Sequence, residues 1–302
     1  MRHPLTALVL PLSMCFFMLP GLAWAQPKAP SEEDLVAALL TGNESQLRRI
    51  GERMGAYKIG KLMMSQQRLS AIAAAVSVSH IQEGYEFLPF LGQAAARPDH
   101  SIAARAAEIA EALSSAISLG ELEEQELGNH ELSLWQMQWS AIASDSQRWM
   151  DIRVLSLETA AHLHTLQSAD KRAELDWEEF LADKSPTMRS AALVLLPQST
   201  QFTSLVVALL QSDKSTAVAM RSAQWLCGPL SGDRDPQPNL DEQSMGRVLG
   251  LAGNKRIDIS RRTDLLACLQ GRDKASKKAV RSILQQSPPA LRRATQARLR
   301  KP

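Results

Sequence analysis

With 302 residues, a net charge of +2 and only three cysteines, the chain is long enough for one or two compact domains or one elongated repeat array, and it is not a small disulfide-stapled domain. Ala and Leu dominate its apolar residues and aromatics make up 5%. Val, Ile, Thr and Tyr are too scattered for a set of strands, so helix is the expected element throughout.

The first segment reads as a cleavable secretory signal. Arg2 and His3 give a basic start, Leu5 to Leu19 is an apolar run, and Pro20-Gly21 ends it. Ala23-Trp24-Ala25 then has the small-x-small form of a cleavage site, with Ala25 the last residue removed and Gln26 the mature start. The run, broken by Pro11 and Pro20, is shorter than the ~20 residues of a spanning helix. Cys15 faintly resembles a bacterial lipoprotein site, but Met14 stands where that pattern takes a small residue. No later segment is apolar enough to span a bilayer, so a periplasmic or secreted location is expected, with no transmembrane helix in the mature chain.

Residues 26–96 are expected to form an N-terminal helical region. Ser31 is a natural N-cap followed by Glu32, Glu33 and Asp34, and Gly42 closes the run from Leu35 to Leu40. Asn43 caps a second helix with Leu47, Ile50 and Met54 on one stripe, and a third helix is expected near Tyr57 to Ser79.

Beyond residue 97 a pattern recurs. Asp99-His100-Ser101 leads to Arg105, Asp145-Ser146 to Arg153, Asp183-Lys184-Ser185 to Arg189, Asp213-Lys214-Ser215 to Arg221, and Asp273 to Arg281, with a weaker copy from Asp258 to Arg262. Small residues follow several of these arginines (Ser190-Ala191, Ser222-Ala223). Successive arginines from Arg105 to Arg262 lie 48, 36, 32 and 41 residues apart. These lines resemble the second-helix signature of HEAT repeats, over residues 97–288, at about the 40 residues expected of helix-pair solenoids. Tetratricopeptide repeats need a strict 34-residue period and a Trp-Leu-Gly-Tyr pattern that the chain lacks.

The resemblance implies an all-α fold, a right-handed α-solenoid of HEAT-like helix pairs, in which one pair cannot bury its apolar face and neighbours must stack. The recurring Arg is expected to bond acids or carbonyls of the adjacent repeat. Leu230 to Leu240 reads as a long loop, and Pro288-Pro289 is expected to end the array before a basic tail, residues 289–302.

No nucleophile elbow, phosphate-cradling loop or local Cys–His pair occurs, so no catalytic residue and no cofactor are assigned. One enzyme group of the HEAT architecture, deoxyhypusine hydroxylase, binds iron through several His-Glu pairs. Only His130-Glu131 has that form here. His162 and His164, two apart on a helix, face different ways and do not suit a helical metal pair. Glu178 and Glu179 are read as a solvated helix face.

What the resemblance implies instead is a binding face for another protein. Charge is unevenly distributed: Glu121, Glu123, Glu124 and Glu126 cluster in an acidic middle, suited to a basic partner. Arg189, Arg221 and Arg262 are expected on the inner-helix surface. Trp135 and Trp139, one turn apart, read either as core or as an exposed anchor. Cys227 and Cys268, each six residues after a repeat Arg, are either a disulfide or two buried small apolar residues. The basic C-terminal tail is a candidate contact for an anionic envelope component or else simply solvated. Nucleic acid is not expected for an exported chain. The expected role is therefore an exported interaction scaffold or adaptor. The alternatives are a metal- or cofactor-dependent enzyme on the same scaffold and an envelope-attachment protein.

Overall fold

The computed structural model describes residues 29–81, 84–119, 128–168, 174–228, 240–271 and 274–300. The expected signal segment with Ala25 and Gln26, the acidic cluster from Glu121 to Glu126 and most of the long loop before Leu240 lie outside the described residues. The described chain is all-α, with fifteen helices, two short 3₁₀ turns and no strand among the described residues.

Local chemistry sets the helix ends. Ser31 and Asp34 form a reciprocal capping box at the start of α1 (Glu32–Leu40). Asn43 caps α2 (Glu44–Met63) by accepting from the Gln46 N–H at 3.0 Å. Gly55, at φ 73° and ψ 162°, is non-helical and breaks the path of α2 into two helical segments. The run expected near Tyr57 to Ser79 thus starts just after this break, but it is not one helix. The polar stretch Ser65-Gln66-Gln67 divides it, and α3 runs Arg68–Val78. There follow α4 (Leu88–Ala95), α5 (His100–Ser118), α6 (Asn129–Ser144), α7 (Met150–Leu166), α8 (Trp177–Leu181), α9 (Pro186–Leu195), α10 (Thr203–Ser212) and α11 (Thr216–Cys227). The last four are α12 (Glu242–Gly253), α13 (Ile259–Gly271), α14 (Lys274–Gln285) and α15 (Pro289–Arg300).

Packing follows chain order in two rows. Each even helix from α2 to α14 packs on the odd helix that follows it. The odd helices also pack on one another without a gap, α1 on α3 and so on to α13 on α15. Even helices meet along α2, α4 and α6, and again along α10, α12 and α14. Small residues let the odd row close up: Ala74 and Ala75 of α3, Ala103, Ala106, Ala107 and Ala110 of α5, Ala160 of α7, Ala192 of α9, and Ala219 and Ala223 of α11 have no exposed surface. In the even row a Cβ on Gly60 would fall 2.5 Å from the Phe90 ring, so only glycine allows α2 and α4 to approach this closely. Buried amides tie pairs together: Gln167 donates to Gln136, and Gln136 donates to the Glu174 carbonyl ahead of α8.

The basic segment expected as a tail is a folded helix. Pro289 occupies the first position of α15, where its missing N–H costs nothing, so the Pro-Pro step starts a helix instead of ending the array. Leu291 and Thr295 are fully buried and α15 packs on α13. Among the described residues, no helix is long and apolar enough to cross a membrane.

Candidate partner-binding face

Each odd helix from α3 to α13 packs on its even partner and on two odd neighbours. The side left over carries exposed or half-buried residues, such as Glu108 in α5, Glu158 in α7, Val194 in α9, Arg221 in α11 and Asp264 in α13. Which residues reach that side depends on position counted from the first helical residue, and this separates the recurring arginines of the odd helices into two groups; Arg281, expected in the same role, is exposed on the even helix α14.

Arg153, Arg189 and Arg262 are fourth in α7, α9 and α13, and all three are spent inside the fold. Arg153 Nε donates to the Ala143 carbonyl at 2.8 Å, at the end of the preceding even helix, while Nη2 pairs with Asp183 ahead of the next odd helix. Arg262 Nε repeats the first contact on the Ala252 carbonyl at 2.8 Å. Arg189 grips Asp213 with two bonds, Nε to Oδ2 at 2.7 Å and Nη2 to Oδ1 at 3.1 Å, and also donates to the Asp183 and Lys184 carbonyls. All three bond carbonyls of their own pair, and Arg153 and Arg189 also bond acids of the next. Arg189 and Arg262, expected to meet a partner, are structural ties with little surface to offer.

Arg105 and Arg221 are sixth in α5 and α11. Two residues turn a helix by about 200°, which moves a side chain to the opposite face. Arg105 is exposed and paired with Glu108 at 2.9 Å. Arg221 is half-buried and donates to Gln224 at 3.2 Å. In α11 the fourth position is held by Ala219, which is fully buried.

The acids that receive the arginines share one local form. The Oδ1 atoms of Asp99, Asp145, Asp183 and Asp213 accept from the N–H two residues on, at 2.7–3.0 Å, and Asn254 does the same ahead of α13. Burial pushes the Asp213 carboxyl up, but the Arg189 bonds, the Ser215 N–H and the charges of Arg189 and Arg247 outweigh it, and its pKa is lowered.

Across α5 and α7, Glu111, Glu158 and His162 are half-buried together. Burial, and then the Glu111 charge, raise the Glu158 pKa, and burial lowers that of His162 against the pull of Glu111. His162 Nδ1 lies 3.3 Å from the Ser114 hydroxyl. His164 sits instead at a groove of about 820 Å³ where α7 ends and α8 begins. That groove has Leu175, Trp177, Pro197 and Phe202 in its walls and Glu174, Asp176 and Glu178 around it. Glu178 and Glu179 are both exposed, as a solvated face requires, and Glu178 also borders this groove.

Trp139 is fully buried, its indole N–H without an acceptor among the described residues, and Trp135 is half-buried against the core. Neither is an exposed anchor. The exposed apolar residues of α6 are their neighbours Leu134 and Met137. His130 is exposed at the start of α6. Cys227 and Cys268 form a disulfide with Cα atoms 5.7 Å apart, joining α11 to α13. Among the described residues, no three His, Cys, Asp or Glu side chains converge where a metal ion could be held.

Sequence reasoning missed Asp264 of α13, Gln224 of α11 and Arg298 of α15, which line a pocket with Arg221. The usable signal was position within the helix, which sets Arg221 apart from Arg189. No protein-family model matches the chain, and a comparison with curated proteins gives no significant match.

Proposed function

We propose that the chain is an exported interaction scaffold, a HEAT-like right-handed α-solenoid in which the odd helices line a concave surface that holds another protein. The observation that carries this reading is the unbroken odd row, whose remaining side carries exposed or half-buried polar groups such as Glu108, Glu158, Arg221 and Asp264. Repeat stacks with such a side use it as an extended contact surface. The Cys227–Cys268 bridge fits an oxidising compartment and so fits cleavage after Ala25 to start the mature chain at Gln26. The groove walled by Trp177 and Phe202 and ringed by Glu174, Asp176 and Glu178 suits a basic segment of the partner.

The test is capture from the native envelope by the mature protein, with Glu174→Lys/Glu178→Lys as the charge-reversed control. The expected result is one reproducible partner, identified by mass spectrometry, that the control fails to retain. Identical proteins retained by both forms, or stoichiometric metal in the purified protein, would defeat the reading. Mass spectrometry of the exported form should find Gln26 at the N-terminus.

A further inference from the structure

Where α11, α13 and α15 run past one another, their side chains line an open pocket of about 330 Å³. This is at the small end of the roughly 300–1,000 Å³ of ligand sites. Arg221 and Gln224 come from α11, Asp264 and Leu265 from α13, and Arg298 from α15, with the Cys227–Cys268 bridge in the wall. Two guanidiniums and one carboxylate leave the lining one unit positive. Arg298 lies 3.4 Å from Asp264. Arg221 meets no carboxylate among the described residues; its bond goes to the neutral Gln224 amide. Arg105, Arg153, Arg189 and Arg262 are each bonded to an acid or a carbonyl. Here a guanidinium is held beside a cavity.

We propose that this pocket binds the C-terminal carboxylate of a partner polypeptide. The inference rests on the scaffold reading and gives it a ligand chemistry. A planar guanidinium matches a carboxylate with two parallel N–H···O bonds, and the Gln224 amide adds a third donor. The single net positive charge fits a monoanion. A phosphate group carries nearly two negative charges, more than this lining balances.

The test uses the mature, disulfide-bonded protein and pools of N-terminally fluorescein-labelled pentapeptides ending in Leu, Ile, Val or Phe. Each pool is made with a free carboxyl end and with an amidated end, and binding is followed by fluorescence anisotropy. The free-carboxyl pool should bind. Amidation should weaken binding by roughly tenfold or more, the loss of a charge-assisted pair. Arg221→Gln should weaken it similarly while its circular dichroism spectrum and melting midpoint match the parent, and Arg298→Gln should weaken it from a different helix. The proposal is overturned if free and amidated pools bind alike, if an amidated pool with an internal Glu binds as well as the free-carboxyl pool, if Arg221→Gln binds like the parent, or if no pool binds. Envelope capture separates the two readings: a partner retained equally by the parent and Arg221→Gln removes this pocket and leaves the scaffold, whereas loss of capture in Glu174→Lys/Glu178→Lys bears on the scaffold alone.

Discussion

The junctions from α7 to α11 and the junction from α11 to α13 solve the same problem by different means. In the first region, each odd helix sends an arginine from its fourth position to an acid ahead of the next: Arg153 to Asp183, then Arg189 to Asp213. At the next junction both members of the rung are missing. Ala219 fills the fourth position of α11, and Asn254 replaces the acid while keeping the same turn geometry. A disulfide joins the two helices instead. A covalent tie does not need the arginine, so the motif's Arg221 is left to face the pocket. Recurrence of a residue in sequence is thus not recurrence of a role.

The comparison can be broken first at the covalent junction. Closing a loop of 41 residues is worth about 4 kcal/mol in a chain-entropy account. Cys227→Ala/Cys268→Ala should therefore lower unfolding free energy by about that much, read by urea denaturation without reductant. A loss near zero would mean that packing alone holds α11 to α13. At the ionic junction, Arg189→Ala leaves Asp213, whose side chain is only 4% exposed, without its main partner, and should cost about 3 kcal/mol. Adding Asp213→Ala should restore part of the loss; strict additivity would deny the coupling.

Acid sharpens the same contrast. The folded pKa of Asp213 is lowered from 3.8, so the folded state releases this proton more readily than the unfolded chain. The stability it contributes is present above the unfolded value and is lost as pH falls through the folded one. Urea midpoints of the parent should drop more steeply below about pH 4 than those of Arg189→Ala/Asp213→Asn. The smallest effect belongs to Glu158. Its pKa is raised by burial and by Glu111, so its ionised form costs stability that returns as pH falls toward the folded value. Glu158→Gln should stabilise the protein at neutral pH by about half a kcal/mol or less, and should not do so near pH 4. A destabilised Glu158→Gln at neutral pH would show that Glu158 makes a bond that the burial argument omits.

Much of the architecture could be read from residues that act locally. Ser31, Asn43, Ser185 and Ser215 cap helices as their hydroxyl or amide chemistry dictates. The recurring Asp-to-Arg lines placed Arg153, Arg189 and Arg262 where helices meet, but not Arg105, which pairs within α5, or Arg281, which is exposed on α14. What those lines did not reveal was register. Asp145 lies eight residues before Arg153 yet Trp149 is the cap, while Asp99 lies six before Arg105 and is itself the cap. The Asp-to-Arg gap is therefore a poor ruler, because the face an arginine takes is set by the first helical residue. Pro288-Pro289 misled for a similar reason: proline stops one helix and starts the next with equal ease. The pocket was illegible because Arg221, Asp264 and Arg298 are far apart in sequence and meet only through the packing of three helices.

The division of the arginines by position is open to direct chemical test. Brief treatment of the folded protein with phenylglyoxal, followed by peptide mass spectrometry, reports which guanidiniums reach solvent. Arg105 and Arg221 should be modified early, while Arg153, Arg189 and Arg262 stay protected until the protein unfolds. Early modification of Arg189 or Arg262 together with protection of Arg221 would contradict the account.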